Sequence, residues 1–229
     1  MKILAIETAT EGCSAALLIN GEVIDRFQVA PREHGNLILP MVDELLNEAG
    51  MTLQQLDALA FGRGPGSFTG VRMATGVIQG LAFAAELPIA PVSTLTALAY
   101  QAGPPVEGQT VYAALDARMG EVYWCEYERI DGQLKAVSNE SVIAPAALSV
   151  TQGKQAIGIG HGWGTYENEL TQLVNASELL LLPNALPKAR EVAQLAVGMV
   201  RDGQTVSADN ALPVYLRDNV AKKKAQQQS

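Results

Sequence analysis

The chain has 229 residues, a formal net charge of −8, two cysteines and two histidines. A chain of this length buries roughly 70–75% of its unfolded surface, so it needs neither disulfide nor metal to hold a core, and it reads as one large domain or two small ones. The acidic balance speaks against a stand-alone nucleic-acid binder, which requires clustered Lys and Arg for phosphates.

Cys13 and Cys125 stand far apart at no metal-ligand spacing and suit a reducing compartment, each as a small core residue. The opening Met-Lys and short apolar run lack the pattern of a signal peptide. The apolar stretch Val71–Ala85 contains Gly76 and Gly80 and falls short of the roughly 18 residues of a membrane span. A cytoplasmic protein without membrane contact is expected.

In chain order, Lys2–Ile6 is a buried strand. Ser14–Ile19 is a second strand, Asn20-Gly21 a hairpin turn, and Glu22–Val29 the returning third strand. The loop Glu7-Thr8-Ala9-Thr10-Glu11-Gly12 lies at the end of a strand, where open α/β sheets place ligands. Glu7, Thr8 and Thr10 are candidate contacts for a nucleotide or a metal-bound phosphate. The same threonines would equally satisfy the turn's own backbone. Leu37–Ala49 has helical periodicity. Pro40 belongs near a first turn, so the helix should begin just before Leu37, and Gly50 ends it. A short turn over Met51–Leu56 leads to a strand at Leu59–Phe61.

Gly62-Arg63-Gly64-Pro65-Gly66-Ser67-Phe68-Thr69-Gly70-Val71-Arg72 follows, the pattern of a glycine-rich turn into a helix that Ser67 or Thr69 would cap. Gly64 and Gly66 are candidate phosphate contacts beside the free N–H groups of the helix start. A tight turn without ligand is the other reading. The run has no Lys for a P-loop, and Thr69 stands where a dinucleotide fingerprint needs Gly. In the helix Val71–Ala85, small residues recur every four positions through Gly76, Gly80 and Ala84. Each interior glycine costs about 1 kcal/mol against alanine. Such a helix wants a close neighbour, within the chain or on a partner. Leu39, Val42 and Leu46 together with Met73, Val77 and Gly80 form the candidate partner interface, with Arg72 and Arg118 as polar anchors.

Pro88–Val92 is a strand, and Ser93 caps a helix to about Gln101. The linker composition of Gly103–Gly108 divides the chain into a first lobe of 1–103 and a second, smaller lobe of 104–212. A segment from 213 onward returns to the first lobe and ends in a basic tail with Lys222–Lys224. Thr110–Asp116 opens the second half as an apolar strand ending in an acid. Glu121–Arg129, Asp131-Gly132 and Leu134–Val137 then repeat the hairpin plan. Asp116 and Arg118 are candidate phosphate contacts or a turn-stabilising pair. Two such halves read as α/β, a two-lobed duplicated ribonuclease-H-like fold of the actin/hexokinase/Hsp70 (ASKHA) superfamily, with a cleft between the lobes. Gln155–Gly160 is a strand into a second glycine-rich loop around Trp163. A helix from Pro187 to about Asp202 turns Val192, Leu195, Ala196 and Met199 inward.

The run Gly62 to Arg72 resembles the signature of the TsaB (YeaZ) family. The resemblance continues at Ile6-Glu7-Thr8-Ala9-Thr10, Pro31-Arg32-Glu33-His34, Asp116 to Tyr123 and Pro213-Val214-Tyr215-Leu216-Arg217, and so spans nearly the whole chain. It implies a non-catalytic scaffold subunit in the synthesis of threonylcarbamoyladenosine (t6A) on tRNA. Such a subunit binds and activates TsaD and organises it with the ATPase TsaE. The resemblance also implies a homodimer when isolated, indirect or weak contact with tRNA, no tightly bound cofactor, and ATP or ADP only within the complex. The metal-binding His-x-x-x-His of TsaD falls at Thr94 and Leu98, so no metal is expected. An ATP-dependent phosphotransferase or ATPase is the alternative, with Glu7 and Asp116 ending equivalent strands. Against it, Thr8 to Ala16 holds no Lys or Arg to stabilise a transferred phosphoryl group. A peptidase is weaker still, since neither His34 nor His161 has a nearby Cys or a G-x-S-x-G elbow.

Overall fold

A computed structural model of the chain describes residues 1–103, 106 and 108–217. The Lys222–Lys224 tail and part of the expected linker lie outside the described residues. The first sheet comprises β1 (Lys2–Glu7), β2 (Gly12–Ile19), β3 (Glu22–Val29), β4 (Ala58–Gly62) and β5 (Ile89–Val92), in the order β3-β2-β1-β4-β5. β1, β2 and β3 pair antiparallel, while β4 and β5 continue parallel to β1. The second sheet comprises β6 (Gln109–Arg118), β7 (Glu121–Ile130), β8 (Gln133–Ala136), β10 (Gln155–Ile159) and β11 (Glu178–Leu182), with β9 (Ser141–Ile143) paired to β7. Its order β8-β7-β6-β10-β11 and its strand senses repeat those of the first sheet. The hairpin turns repeat as well: Asn20-Gly21 and Asp131-Gly132 each place two successive residues at positive φ, as a two-residue primed turn requires. The fold is a duplicated ribonuclease-H-like, actin-like α/β architecture.

The helices are α1 (His34–Glu48), α2 (Phe68–Ala85), α3 (Thr94–Tyr100), α4 (His161–Thr165), α5 (Glu167–Val174) and α6 (Ala189–Arg201). Period-2 alternation splits each central strand between two cores. Leu4 and Ile6 of β1 face α1 and α2, whereas Ile3 and Ala5 face α6. In β6, Val111, Ala113 and Leu115 face α3, whereas Tyr112 and Ala114 pack on Trp163 of α4 and Leu170 of α5. α6 lies in the 104–212 span yet packs on the first sheet. Its Ala189, Val192, Ala193 and Ala196 meet Ala5, Ala16, Ala58, Ala60 and Ala90. These small residues let helix and sheet approach closely.

α1 begins at His34 rather than just before Leu37. His34 donates from Nε2 to the Thr10 carbonyl at 2.9 Å, which fixes the first turn earlier in the chain. Pro40 then falls inside the helix, where both it and Asn36, whose carbonyl loses a partner, are exposed to solvent. Ser67 and Ser93 cap α2 and α3 as the sequence implies, accepting from Gly70 N–H and Thr96 N–H at 3.4 and 3.2 Å. Among the described residues no helix is long and apolar enough to cross a membrane.

Gly70 sits where α2 meets the β1–β2 loop, and a Cβ there would lie 2.0 Å from the Thr8 carbonyl oxygen. Among the described residues, a Cβ on Gly76, in the same helix, would meet nothing within 4 Å. Gly70→Ala should therefore destabilise by about 1–3 kcal/mol through overpacking. Gly76→Ala should stabilise by up to about 1 kcal/mol through helix propensity. Urea denaturation of both variants checks the opposite signs.

Candidate functional site

The loops at one end of the two sheets enclose a cleft of about 720 Å³. The first half contributes Ala9–Glu11 after β1, Arg32 and His34 before and within α1, and Gly66–Phe68 at the start of α2. The second half contributes Leu115–Met119 at the β6–β7 turn, Tyr123 and His161, and the segment 214–217 closes one side.

Of the candidate phosphate contacts, Thr10, Gly66, Asp116 and Arg118 line this cleft. Glu7 and Thr8 do not. Glu7 is fully buried; its carboxylate accepts from Ala9 N–H at 2.6 Å and from Thr94 Oγ1 at 3.2 Å. Burial raises its pKa from an ordinary 4.5 to about 7, against the lowering effect of these hydrogen bonds. A Cβ on Gly62 would stand 1.7 Å from the Glu7 carboxylate, so this glycine makes the room the acid occupies. Thr8 Oγ1 donates to the Gly70 carbonyl at 2.7 Å, and Thr10 Oγ1 accepts from Gly12 N–H at 3.3 Å. The threonines thus satisfy local backbone. Gly64 lies against the Val214 carbonyl and Gly66 against Ala9, so protein fills the hollow of the glycine-rich turn.

Asp116 and Arg118 form a pair: Asp116 accepts from the Arg118 backbone N–H and from its Nη1, each at 2.8 Å. The Arg118 side chain is otherwise exposed. Cys13 and Cys125 are both buried, and burial pushes the Cys13 thiol up to about 11.

Cleft residues outside the sequence-derived site candidates are Glu11, Arg32, Phe68, Tyr215 and Arg217, together with His34 and His161, which the sequence offered only as weak peptidase candidates. Both histidines have their tautomers fixed by the backbone. His34 Nε2 faces a carbonyl, so Nε2 carries a proton. His161 Nδ1 accepts from Asp116 N–H at 2.9 Å, so its proton is on Nε2. Burial lowers the His161 pKa and favours this neutral ring. Phe68 stacks under the Arg72 guanidinium at 3.7 Å, and Arg72 donates to Tyr215 Oη at 2.7 Å. Arg217 donates to the Arg118 carbonyl at 3.3 Å and pairs with Glu121. The segment 214–217 therefore ties α2 to the β6–β7 turn across the cleft. The presence of both histidines in loops at strand ends, one of them in the Pro31–His34 run, was the signal available.

A family model described as TsaD, tRNA N6-adenosine threonylcarbamoyltransferase, matches residues 27–225. The chain is 44% identical to the tRNA threonylcarbamoyladenosine biosynthesis protein TsaB of Escherichia coli K12, over 98% of each chain. It is 41% identical to the protein of the same name from Haemophilus influenzae, over 98% of this chain and 97% of that one. Its structure is similar to that of YeaZ from Pseudomonas aeruginosa, with a TM-score of 0.85, 43% identity and coverage of 94% of this chain and 99% of that one. The chain belongs to the TsaB (YeaZ) family.

Thr94 and Leu98, the positions expected from the resemblance to match a metal-binding His-x-x-x-His, are both fully buried: Thr94 donates to Glu7, and Leu98 packs in the core around α3. The candidate interface divides in two. Val42 and Leu46 are 1% and 8% exposed and face the core, because the wide apolar stripe of α1 is mostly used against the sheet. The outer surface of α1 and α2 carries Leu39, at 47%, and Phe83, at 80% exposed, with Met73 and Val77 half-buried and Gly76 and Gly80 exposed.

The buried Glu7 has a consequence for stability. Below about pH 4.5 its carboxyl is protonated in the folded and unfolded chain alike. Between about 4.5 and 7 the unfolded chain ionises first, so stability falls as pH rises, and above about 7 the loss is constant. Glu7→Gln removes this slope. Relative to the variant, the parent chain should lose on the order of 3 kcal/mol across that window, read by urea denaturation at several pH values.

Proposed function

We propose that this chain is the non-catalytic scaffold subunit of a t6A synthesis complex in the cytoplasm, binding and activating a TsaD-type transferase and organising it with a TsaE-type ATPase. Membership of the TsaB family places it in threonylcarbamoyladenosine biosynthesis. The observation that carries the finer reading is the outer surface of α2. Gly76 and Gly80 lie in mid-helix at a cost of about 1 kcal/mol each, yet among the described residues a Cβ on either would meet nothing within 4 Å. Intrachain packing therefore gives no reason for glycine. A second helix closing on α2 from outside would, since only glycine lets two backbones come that near. Leu39, Met73, Val77 and Phe83 supply the apolar surface around that approach.

The chemistry of the cleft agrees with a supporting role. The acid at the end of β1 is buried and engaged, and the acid of β6 is paired with Arg118. Any ATP or ADP in the reaction then belongs to the assembled complex, and tRNA meets this chain indirectly. In the absence of the transferase, the same α1–α2 surface would pair two copies of this chain, so homodimer and complex compete.

Gly80→Leu should leave the monomer folded while reducing co-purification with the transferase by more than tenfold. A variant that co-purifies normally would sink the interface. Reconstitution of t6A on tRNA from TsaC, TsaD, TsaE, ATP, threonine and bicarbonate should yield product only when this chain is added.

A further inference from the structure

Met119, at the β6–β7 turn, packs in none of the four cores among the described residues. Arg118, Met119 and Gly120 stand in succession at φ of 63°, 59° and 79°. Side chains other than those of Asn and Asp rarely adopt this left-handed conformation, so the turn itself gives no reason for methionine. Met119 is 73% exposed, whereas Met41 is 8% exposed and Met1, Met51, Met73 and Met199 are half-buried. Its sulfur is nevertheless engaged: Arg217 donates from Nη1 to Met119 Sδ at 3.6 Å. The same guanidinium donates from Nη2 to the Arg118 carbonyl at 3.3 Å and pairs with Glu121. Arg217 ends the segment 214–217, which closes one side of the cleft. At the other end of that segment Val214 N–H donates to the Arg63 carbonyl and Tyr215 accepts from Arg72, each at 2.7 Å. Met119 supplies the weakest acceptor in this set, since a thioether accepts hydrogen bonds poorly.

We propose that Met119 is a redox-sensitive site that hydrogen peroxide converts to the sulfoxide, and that the sulfoxide strengthens the hold of Arg217 and fastens the segment 214–217 to the β6–β7 turn. In the step, a sulfur lone pair attacks one peroxide oxygen and the O–O bond breaks. The attacked oxygen stays on sulfur, its proton passes to the departing oxygen, and water leaves. Sulfur is oxidised by two electrons and the peroxide is reduced. Exposure directs the oxidant to Met119 and away from Met41, whose oxidation would put a polar group into the core. The new oxygen carries negative charge and accepts from a guanidinium far better than sulfur does. It sits on an exposed side chain with three rotatable bonds and reaches Nη1 without moving the backbone. Sulfur, the Arg118 carbonyl and Glu121 all lie on the second half, so the strengthened contact draws Arg217 toward that wall of the cleft. Sulfoxide reductases reverse the change, which makes it a switch rather than a lesion. The inference is independent of the proposed function.

The test treats the full chain with millimolar hydrogen peroxide and follows it by peptide mass spectrometry. The peptide carrying Met119 should gain one oxygen at least about tenfold faster than those carrying Met1, Met51, Met73 or Met199. Hydrogen exchange of the backbone amides from 214 to 217 should then slow about fivefold, as a charged donor trades a poor acceptor for a strong one. Methionine sulfoxide reductases for both epimers should restore the faster exchange. Met119→Leu should abolish the response of this segment to peroxide. Met119→Gln, whose amide oxygen stands in for that of the sulfoxide, should show the slower exchange without peroxide. Equal or faster oxidation of any other methionine overturns the site. Unchanged or faster exchange in the oxidised chain, or the same slowing in Met119→Leu, overturns the strengthened hold of Arg217.

Discussion

The seating of the glycine-rich turn on the β1–β2 loop is the constraint on which the rest of the structure depends. Three backbone approaches define it: Ser67 N–H donates to the Ala9 carbonyl at 2.7 Å, Thr8 Oγ1 to the Gly70 carbonyl at 2.7 Å, and Gly62 clears the space that Glu7 fills. A side chain at Gly62, Gly66 or Gly70 would push the two loops apart. The arrangement differs physically from a phosphate cradle. There, glycines let a ligand approach the backbone; here they let one loop approach another. The helix start is thereby locked to the end of β1, and the direction of all of α2 follows.

Duplication explains the frame, and divergence explains how the two halves differ. Glu7 and Asp116 occupy equivalent places in β1 and β6, yet one is sealed between Ala9 and Thr94 while the other holds Arg118 at a hairpin. The halves also treat their helices differently. Around the second sheet, Trp163 packs so tightly on Gly158 that a Cβ there would meet its indole at 2.5 Å, and α4 and α5 are short. Around the first sheet, α1 and α2 are long and leave an apolar outer surface. The alanine-rich layer under α6 covers the opposite face of that sheet.

Much of this frame was legible in the sequence because each signal was local. Apolar runs marked β1, β2 and β6, aromatic and apolar residues marked β7, Asn20-Gly21 and Asp131-Gly132 marked the hairpins, and Ser67 and Ser93 marked helix starts. Where a reading needed the tertiary arrangement, the residues alone were insufficient. Val42, Leu46 and Leu39 share one broad apolar stripe, and only the position of the sheet decides that two of them are core and one is surface. Phe83 looked like one more apolar residue in an apolar helix. The packing of α6 on the first sheet joins residues nearly the whole chain apart, as Ala189 N–H donating to Ser14 Oγ illustrates. The cleft was the least legible part. His34 and His161 sit in separate loops of separate halves, and their ring polarities depend on the carbonyl of Thr10 and the N–H of Asp116.

α2 is the element that the cleft and the outer surface share. Its start, Phe68 with Gly66 and Ser67 before it, lines the cleft, and its later turns supply Gly76, Gly80 and Phe83 to the exterior. Between them, Arg72 lies over Phe68 and holds Tyr215, whose neighbour Arg217 reaches across to Glu121 and the Arg118 carbonyl. The exterior of α2 and the cleft therefore share one rigid helix and one polar chain. Any free-energy coupling between them must come from differential contact with the positions this chain can take. The glycine seat fixes the N-terminus of α2, and 214–217 adds the links from Tyr215 to Arg72 and from Arg217 to Glu121 and the Arg118 carbonyl.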